Sequence, residues 1–184
     1  MSQASLRTLC AAVCAFALLS PASAQDRMPL PPPPLGAGAR APALNTRTIN
    51  RAAPVSVRRL RGHVVLLDFW ATWCPSCRTA TPALERLHKR FAPQGLTVVG
   101  MNVDQGPSVS QVRPFIHQFG ITYPVALLTP ANARTAEAYR AYGLPAQFLI
   151  DKKGVIRWSR SGYDPHGGYA LSLLIQKLLA EQGR

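Results

Sequence analysis

Residues 68–77 read Asp68-Phe69-Trp70-Ala71-Thr72-Trp73-Cys74-Pro75-Ser76-Cys77. A run of apolar residues, Val64 to Leu67, precedes them and predicts a buried strand. After them, apolar residues recur every three or four positions as far as Phe91, which predicts a helix. The two cysteines therefore stand where a strand gives way to a helix.

This position suits thiol–disulfide exchange. Cys74 precedes the unpaired N–H groups of the predicted helix, where the helix dipole favours negative charge. Because the thiolate is the nucleophile, Cys74 is expected to be the attacking sulfur, and Cys77, one turn further on, to resolve a mixed disulfide. The dipole contributes roughly 0.3–2 kcal/mol, enough to lower a thiol pKa by about one unit. Any further depression must come from hydrogen bonds to the sulfur and from the Pro75-Ser76 pair.

Three other roles for the cysteine pair are weighed against this one. A structural disulfide closing so short a loop returns only about 2 kcal/mol in the chain-entropy model. A zinc site needs further ligands, yet Cys10 and Cys14 lie in a segment that we expect to be removed, and the four histidines are scattered. Inert core cysteines do not account for the flanking tryptophan and proline. The pattern favours the redox role.

Length and composition limit which classes of protein this chain can belong to. The 184 residues leave room for one domain with extensions, and a hydrophobic content of 47% is enough for a core. The formal charge of +13 invites a nucleic-acid interpretation, but the basic residues are spread along the chain and do not alternate with stacking aromatics. We therefore expect no nucleic-acid partner and interpret the charge as solvated surface.

The N-terminus indicates export. Arg7 supplies a positive start, Leu9 to Leu19 is an apolar run too short to span a bilayer, and Ala22-Ser23-Ala24 is a small-residue cleavage site. We predict a signal peptide over residues 1–24, and in a bacterial cell a periplasmic protein. An uncleaved N-terminal membrane anchor is the alternative.

The rest of the chain alternates strands with helices. Residues 25–42 contain a proline run and predict an extended linker, which leaves residues 43–184 for the folded domain. The predicted elements are a hairpin of Leu44–Ile49 and Pro54–Val57, strands His63–Trp70, Leu96–Val103 and Val125–Leu128, helices Pro75–Phe91, Val109–Phe119 and Ala131–Tyr142, a hairpin of Ala146–Ile150 and Val155–Ser159, and a helix Tyr169–Glu181. This order predicts an α/β sandwich with a mixed sheet, whose chemistry lies at the carboxyl ends of the strands.

The motif around the cysteines, together with Gly143-Leu144-Pro145 and Phe148-Leu149-Ile150-Asp151, resembles the thioredoxin superfamily. The resemblance is strongest to the exported TlpA/ResA-like branch and covers about residues 43–184. It implies a thioredoxin-like three-layer α/β sandwich with a central mixed sheet and an N-terminal β-hairpin. It also implies an insertion, around Val109 to Leu128, before a cis-proline motif.

The resemblance also assigns roles to residues. Pro145 is expected to be a cis-proline facing the cysteines, with the backbone of Leu144 available to an extended substrate segment. Asp68 matches the buried acid of thioredoxins that accepts the proton of the second cysteine, here Cys77, and burial should raise its pKa. Trp73 is expected to line the substrate groove. The alternatives are an ordinary trans-proline and a solvated strand-end carboxylate.

Three positions depart from that branch. Ala80 stands where a glutamate is frequent, Asp68 where asparagine is common, and Gln147 where threonine is commoner. We therefore expect proton handling like that of a thioredoxin, which argues against specialisation as a reductase for cytochrome c maturation.

The sequence thus predicts an exported thiol–disulfide oxidoreductase that reduces protein disulfides, with Cys74, Cys77 and Asp68 as catalytic residues and no cofactor or bound metal. The expected partners are disulfide-bearing exported proteins, with a membrane electron donor as a further candidate, and the protein is expected to be a monomer. Two alternatives stay open. One is an oxidant that introduces disulfides, and the other is a non-catalytic copper or metal chaperone using the same cysteines with His63 or His166.

Overall fold

The computed structural model describes residues 32–51, 54–56 and 58–182. The predicted signal peptide, residues 1–24, and the predicted linker as far as residue 31 lie outside the described residues. The strands and helices in chain order are β1 Asn45–Thr46, β2 Val55–Ser56, β3 Val64–Trp70, α1 Pro75–Phe91, β4 Leu96–Asn102, α2 Val112–Gln118, β5 Val125–Leu127, α3 Arg134–Tyr139, β6 Ala146–Ile150, β7 Ile156–Ser161 and α4 Gly167–Ala180.

Strand β3 is the centre of the sheet, and all seven of its residues are buried. It pairs in parallel with β4 on one side and antiparallel with β6 on the other. Strand β5 continues beyond β4, and β7 beyond β6, which gives the order β5-β4-β3-β6-β7. A strand that has neighbours at both edges and layers on both faces needs apolar side chains throughout, which explains the apolar run before the cysteine motif.

Helices cover both faces of this sheet. Because side chains alternate along a strand, Val64, Leu66 and Trp70 share one face, and they pack with residues of α1, α2 and α4. The side chains of Val65, Leu67 and Phe69 face the opposite side and pack with Tyr139 of α3 and with the β1–β2 hairpin. The structure therefore confirms the predicted three-layer, thioredoxin-like sandwich with a mixed sheet.

The additions to the sandwich are also present. The N-terminal hairpin is confirmed, although β1 and β2 are only two residues each. The insertion before the proline motif begins with a 3₁₀ segment, Gly106–Gln111, and continues as α2. The irregular start expected for this helix is therefore seen ahead of Pro114.

The predicted end of helix α3 is wrong. The helix stops at Tyr139 rather than running to Tyr142, because Arg140 adopts the left-handed conformation with φ of 55°. The N–H of Arg140 bonds back to Glu137, and the N–H of the next residue bonds back to Ala136, which closes the helix. A side chain other than glycine in this conformation is uncommon, and the sequence pattern gave no sign of it.

One leucine of α4 lies away from the core. The apolar pattern of residues 169–181 predicts that Leu173 faces inward, and this prediction is wrong, because its side chain is 48% exposed. The inward face of α4 is formed by Leu171, Ile175 and Leu178, which are spaced by three or four residues.

Among the helices of the described ranges, none combines the length and the apolar character that a membrane span requires.

Contacts to the domain begin before the predicted boundary at residue 43. The N–H of Gly38 donates to the carbonyl of Ile156 at 2.8 Å, and the N–H of Ala41 donates to the carbonyl of Gly154 at 2.9 Å. Leu35 and two nearby alanines pack on the sheet face that carries α3. The described end of the predicted linker therefore lies along the outer edge of the sheet.

Candidate active site

The two cysteines are joined in a disulfide at the start of helix α1. Cys74 is the N-cap, and its sulfur accepts a hydrogen bond from the backbone N–H of Cys77 at 3.1 Å. Pro75 occupies the first helical position, where its missing N–H costs nothing because that group has no partner inside the helix. The sulfur of Cys74 thus takes the place that a capping oxygen usually holds, and the predicted position of Cys74 at the start of the helix is confirmed.

An open groove of about 530 Å³ runs beside Cys74. The motif residues Trp73 to Ser76 form one wall, and the other residues of the groove are Val103, Leu128, Ala136, Ala141, Tyr142 and Leu144. Cys74 is only 4% exposed, yet it belongs to this wall, whereas Cys77 is 1% exposed and does not. Of the two cysteines, Cys74 is therefore the one that lines the groove.

The loop before β6 forms the side of the site opposite the motif. The peptide bond between Leu144 and Pro145 is cis, as the sequence predicted. Leu144 lines the groove, and its carbonyl accepts a hydrogen bond from the hydroxyl of Ser76 at 3.3 Å. Trp73 is 63% exposed at the rim. The structure therefore brings Trp73 and Leu144, two of the predicted substrate-binding residues, to the groove that Cys74 lines.

Asp68 is buried beneath this site. It is two positions from both Leu66 and Trp70 on β3, so it points to the same sheet face as they do, and the buried cluster on that face includes Cys77. Burial raises the pKa of its carboxyl group to about 7, although a hydrogen bond from the Gln147 side chain, at 3.1 Å, works in the opposite direction. Gln147 lies directly across from Asp68 on β6. The carboxyl group can therefore take up or release a proton near neutral pH.

A family model described as the AhpC/TSA family matches residues 37–159, which is more than half of the chain. The chain belongs to the AhpC/TSA family. This family is thioredoxin-like. Relatives to which the chain is similar are thiol–disulfide oxidoreductases, which is the enzyme class that the cysteine motif predicts.

Two relatives come from Bacillus subtilis strain 168. Thioredoxin-like protein YneN is 36% identical over 121 residues, which cover 65% of this chain and 68% of the relative. Thiol-disulfide oxidoreductase ResA is 34% identical over 102 residues, 55% of either chain. The chain thus spans about half the length of ResA. Among solved structures, a thiol-disulfide isomerase from Corynebacterium glutamicum has a TM-score of 0.66 at 30% identity, covering 77% of this chain and 98% of that one.

A buried polar cluster supports the loop before the cysteines, and the sequence reasoning missed it. The carboxylate of Asp104 accepts hydrogen bonds from the backbone N–H of Thr72, at 3.1 and 3.3 Å, and from the side chain of Asn102 at 3.1 Å. Both residues are buried: Asn102 is the last residue of strand β4, which lies beside β3, and Asp104 comes two positions later. Their position at a strand end was the only signal that the sequence offered. They fix the backbone just ahead of Trp73.

Ala80 brings no carboxyl group to the site. It lies on the inner face of α1 and is buried. Glu85, one turn further along the helix, is engaged elsewhere, because it accepts hydrogen bonds from the N–H and the hydroxyl of Thr122. Neither residue therefore supplies the cysteine pair with a carboxyl group that is free of other partners.

The metal-chaperone alternative required a histidine beside the cysteine pair. Within residues 32–51, 54–56 and 58–182, no group of three or more Cys, His, Asp or Glu side chains is placed to hold a metal ion. The positions of His63 and His166 therefore give that alternative no support.

Proposed function

We propose that the chain is an exported thiol–disulfide oxidoreductase that reduces disulfides in other exported proteins. One observation carries the proposal. The sulfur of Cys74 caps helix α1, accepts the N–H of Cys77, and belongs to the wall of an open groove. A thiolate formed there is stabilised by the helix terminus and is the sulfur that a substrate disulfide reaches first.

The reaction transfers two electrons in two exchanges. The Cys74 thiolate attacks one sulfur of the substrate disulfide, and the other substrate sulfur leaves as a thiolate. Cys77 then loses its proton and attacks Cys74, which releases the second substrate sulfur. The protein ends with the Cys74–Cys77 disulfide and the substrate with two thiols. In this scheme Asp68 takes the proton of Cys77, while Trp73, Leu144 and Pro145 hold the substrate segment.

Substitution of the cysteines tests the scheme. The variant Cys74→Ser should lose all reduction of insulin disulfides, whereas Cys77→Ser should accumulate mixed disulfides that resist release. Wild-type activity in Cys74→Ser would remove the proposal. Mass spectrometry of the trapped species identifies both the substrate and the attacking sulfur.

The role of Asp68 is tested by pH. Because its pKa is about 7, the fraction of carboxylate rises through neutral pH, and resolution of the mixed disulfide should accelerate over the same range. In Asp68→Asn, resolution should be slower and should lose this rise near pH 7. An unchanged pH–rate profile would dispose of Asp68 as the base.

The direction of electron flow is measured by equilibrating the cysteine pair with glutathione. A reductant should have a potential well below that of the oxidant class, and about 30 mV corresponds to about 1.4 kcal/mol for this two-electron couple. A potential near that of strong oxidants would reverse the proposed direction and favour the disulfide-introducing alternative.

The proposed location is based on the N-terminal sequence. Residues 1–24 act as a signal peptide, and residues 25–42 connect it to the domain over 43–184, with their last part, from Leu35 onward, packed along the sheet edge. The mature protein works in the periplasm as a monomer, with a membrane electron donor. Mass spectrometry of the protein recovered from a periplasmic extract should show a chain that begins at Gln25. A chain that retains residues 1–24 in the membrane fraction would support the uncleaved anchor instead.

A further inference from the structure

The hydroxyl group of Ser76 lies between the attacking sulfur and the proline loop. Its oxygen is 3.3 Å from the sulfur of Cys74 and 3.3 Å from the carbonyl oxygen of Leu144. Ser76 is half-buried at the second position of α1. Both acceptors are therefore reached from one side-chain position, and rotation of the O–H bond alone selects between them.

The oxidation state of Cys74 decides which acceptor is stronger. A hydroxyl group has a single proton to donate. A disulfide sulfur is an uncharged, weak acceptor, so in the oxidised protein the proton is directed to the carbonyl of Leu144. A thiolate carries a full charge, and hydrogen bonds to charged acceptors are roughly twice as strong as neutral ones.

The first turn of α1 leaves the sulfur of Cys74 with room for this second donor. Pro75 has no N–H, so the first helical position contributes nothing. The N–H of Cys77 donates to the sulfur at 3.1 Å. The hydroxyl of Ser76 is the other donor within reach in the described part of the site.

We propose that Ser76 is a positioning residue whose hydroxyl donates to Leu144 in the oxidised protein and turns to the Cys74 thiolate in the reduced protein. This inference rests on the proposed function and adds to it a link between two events. When the thiolate forms, the carbonyl of Leu144 loses its internal donor. That carbonyl is then free to accept an N–H from an extended substrate segment in the groove, so the reduced protein alone is prepared for its substrate.

The first test measures the pKa of Cys74. All variants carry Cys77→Ser in the full-length chain, and the rate of iodoacetamide alkylation at Cys74 is followed against pH by peptide mass spectrometry. Ser76→Ala should raise the pKa of Cys74 by about one unit, a tenfold change in its acid constant, and Ser76→Thr should restore it because it keeps the hydroxyl. Thr79→Ala is the matched control, since the Thr79 hydroxyl lies on the same turn but donates to the carbonyl of Pro75. An unshifted pKa in Ser76→Ala, or an equal shift in Thr79→Ala, overturns the proposal.

The second test uses turnover with Cys77 restored. A thiolate from a weaker acid is a better nucleophile, with a Brønsted coefficient of about 0.5. A one-unit rise in the pKa of Cys74 therefore changes the reaction rate in opposite directions at low and at high pH. Ser76→Ala should be about threefold slower than wild type at a pH below both pKa values and about threefold faster above both. KM should not rise, because Ser76 does not hold the substrate. Equal slowing at all pH values would mean a merely structural role and would overturn the proposal.

A third measurement needs no loss of the serine. The carbonyl of Leu144, labelled with carbon-13, should change its chemical shift as Cys74 titrates in the reduced wild-type protein. A chemical shift that does not change with this titration contradicts the proposal.

The alkylation test does not depend on reductase activity. If the pKa shift is found but insulin is not reduced, the proposed function fails alone; if insulin is reduced without the shift, only the role of Ser76 fails.

Discussion

Asp68 lies in the C-terminal half of strand β3, and all the other residues of that strand are apolar. Desolvation raises its pKa to about 7, and the hydrogen bond from Gln147 only partly offsets this. The folded protein therefore binds a proton at Asp68 more tightly than the unfolded chain does. The stability that the neutral acid contributes is present below the unfolded pKa, about 4, and is lost as pH rises through about 7.

Substitution of this acid should change how stability depends on pH. Asp68→Asn keeps an acceptor for Gln147 but cannot ionise, so its free energy of unfolding relative to wild type should increase by a few kcal/mol between pH 4 and pH 8. Urea unfolding of the oxidised proteins measures the difference. Asp164→Asn should stay nearly level with wild type over this range and diverge in the opposite direction only below about pH 4, because a hydrogen bond from the N–H of His166 lowers the pKa of that exposed carboxyl group. Parallel curves for wild type and Asp68→Asn would contradict the raised pKa.

Gly100 lies across from Asp68 on β4, in a closely packed part of the same face. A Cβ atom at this position would lie 2.9 Å from the indole nitrogen of Trp70 and 3.1 Å from the ring of Tyr123. Both rings are buried and cannot move aside cheaply. Gly100→Ala should therefore destabilise the protein by about 1–3 kcal/mol in urea unfolding.

The control is Gly168→Ala in the first turn of α4, where a Cβ meets nothing within 4 Å. It should leave stability unchanged or raise it by roughly 0.5–1 kcal/mol, because alanine favours the helix over glycine. If both substitutions had the same small effect, the close packing beside Trp70 would be refuted.

At the scale of elements, the N-terminal segment protects an edge of the sheet. Strand β5 is an edge strand, and an unpaired edge invites association with other chains. The side chain of Asn50 accepts the N–H of Val125 and donates to the carbonyl of Tyr123, each at 2.9 Å. The N–H of Ile49 also donates to the backbone carbonyl of Val125. The turn that follows the predicted first strand of the hairpin thus continues the sheet beyond β5.

Asn50→Ala should lower the free energy of unfolding by about 1–2 kcal/mol, because it leaves an N–H and a carbonyl of the β5 edge without partners. Asn45→Ala is the matched control. That asparagine is exposed on β1, its side chain makes no hydrogen bond within the described ranges, and the effect should be below about 0.5 kcal/mol. Chemical denaturation followed by tryptophan fluorescence compares the two. Equal effects would show that Asn50 does not support the edge.

At the scale of the molecule, the opposite edge of the sheet is covered by residues predicted to be linker. Residues 38–41 exchange backbone hydrogen bonds with Gly154 and Ile156, and the hydroxyl of Tyr139 donates to the carbonyl of Pro42 at 2.9 Å. Both sheet edges are therefore covered by the chain that precedes β3. This segment lies at the sheet edges and is not among the residues that line the groove.

Two truncated chains test where the stable domain begins. A chain that starts at Pro32 keeps all of these contacts, whereas one that starts at Ala43 loses five hydrogen bonds to the domain and the packing of Leu35. At about 0.5–1.5 kcal/mol for each bond, the shorter chain should be less stable by at least about 2 kcal/mol. Urea unfolding under identical conditions measures the difference. Equal stability would place the start of the domain at residue 43.

Much of the site could be predicted from the sequence because its parts are local. The helix that starts at Pro75 and the capping position of Cys74 depend on residues within a few positions of one another. The resemblance supplied the cis bond before Pro145, and the apolar strand before Asp68 predicted that its pKa is raised. The end of α3 at Arg140 was not predicted, because a left-handed residue there depends on how the chain returns to the sheet.

The sequence by itself determined the chemistry of this protein, because it places two sulfurs at the start of a helix, directly after a buried strand, in an AhpC/TSA family domain. Only the tertiary structure decided what surrounds those sulfurs. Ser76 meets Leu144 across 68 positions of sequence, and Asp68 meets Gln147 across 79. Such pairs are set by the order of the strands in the sheet, and no local pattern encodes them, because a hydrogen bond depends on distance in space and not along the chain.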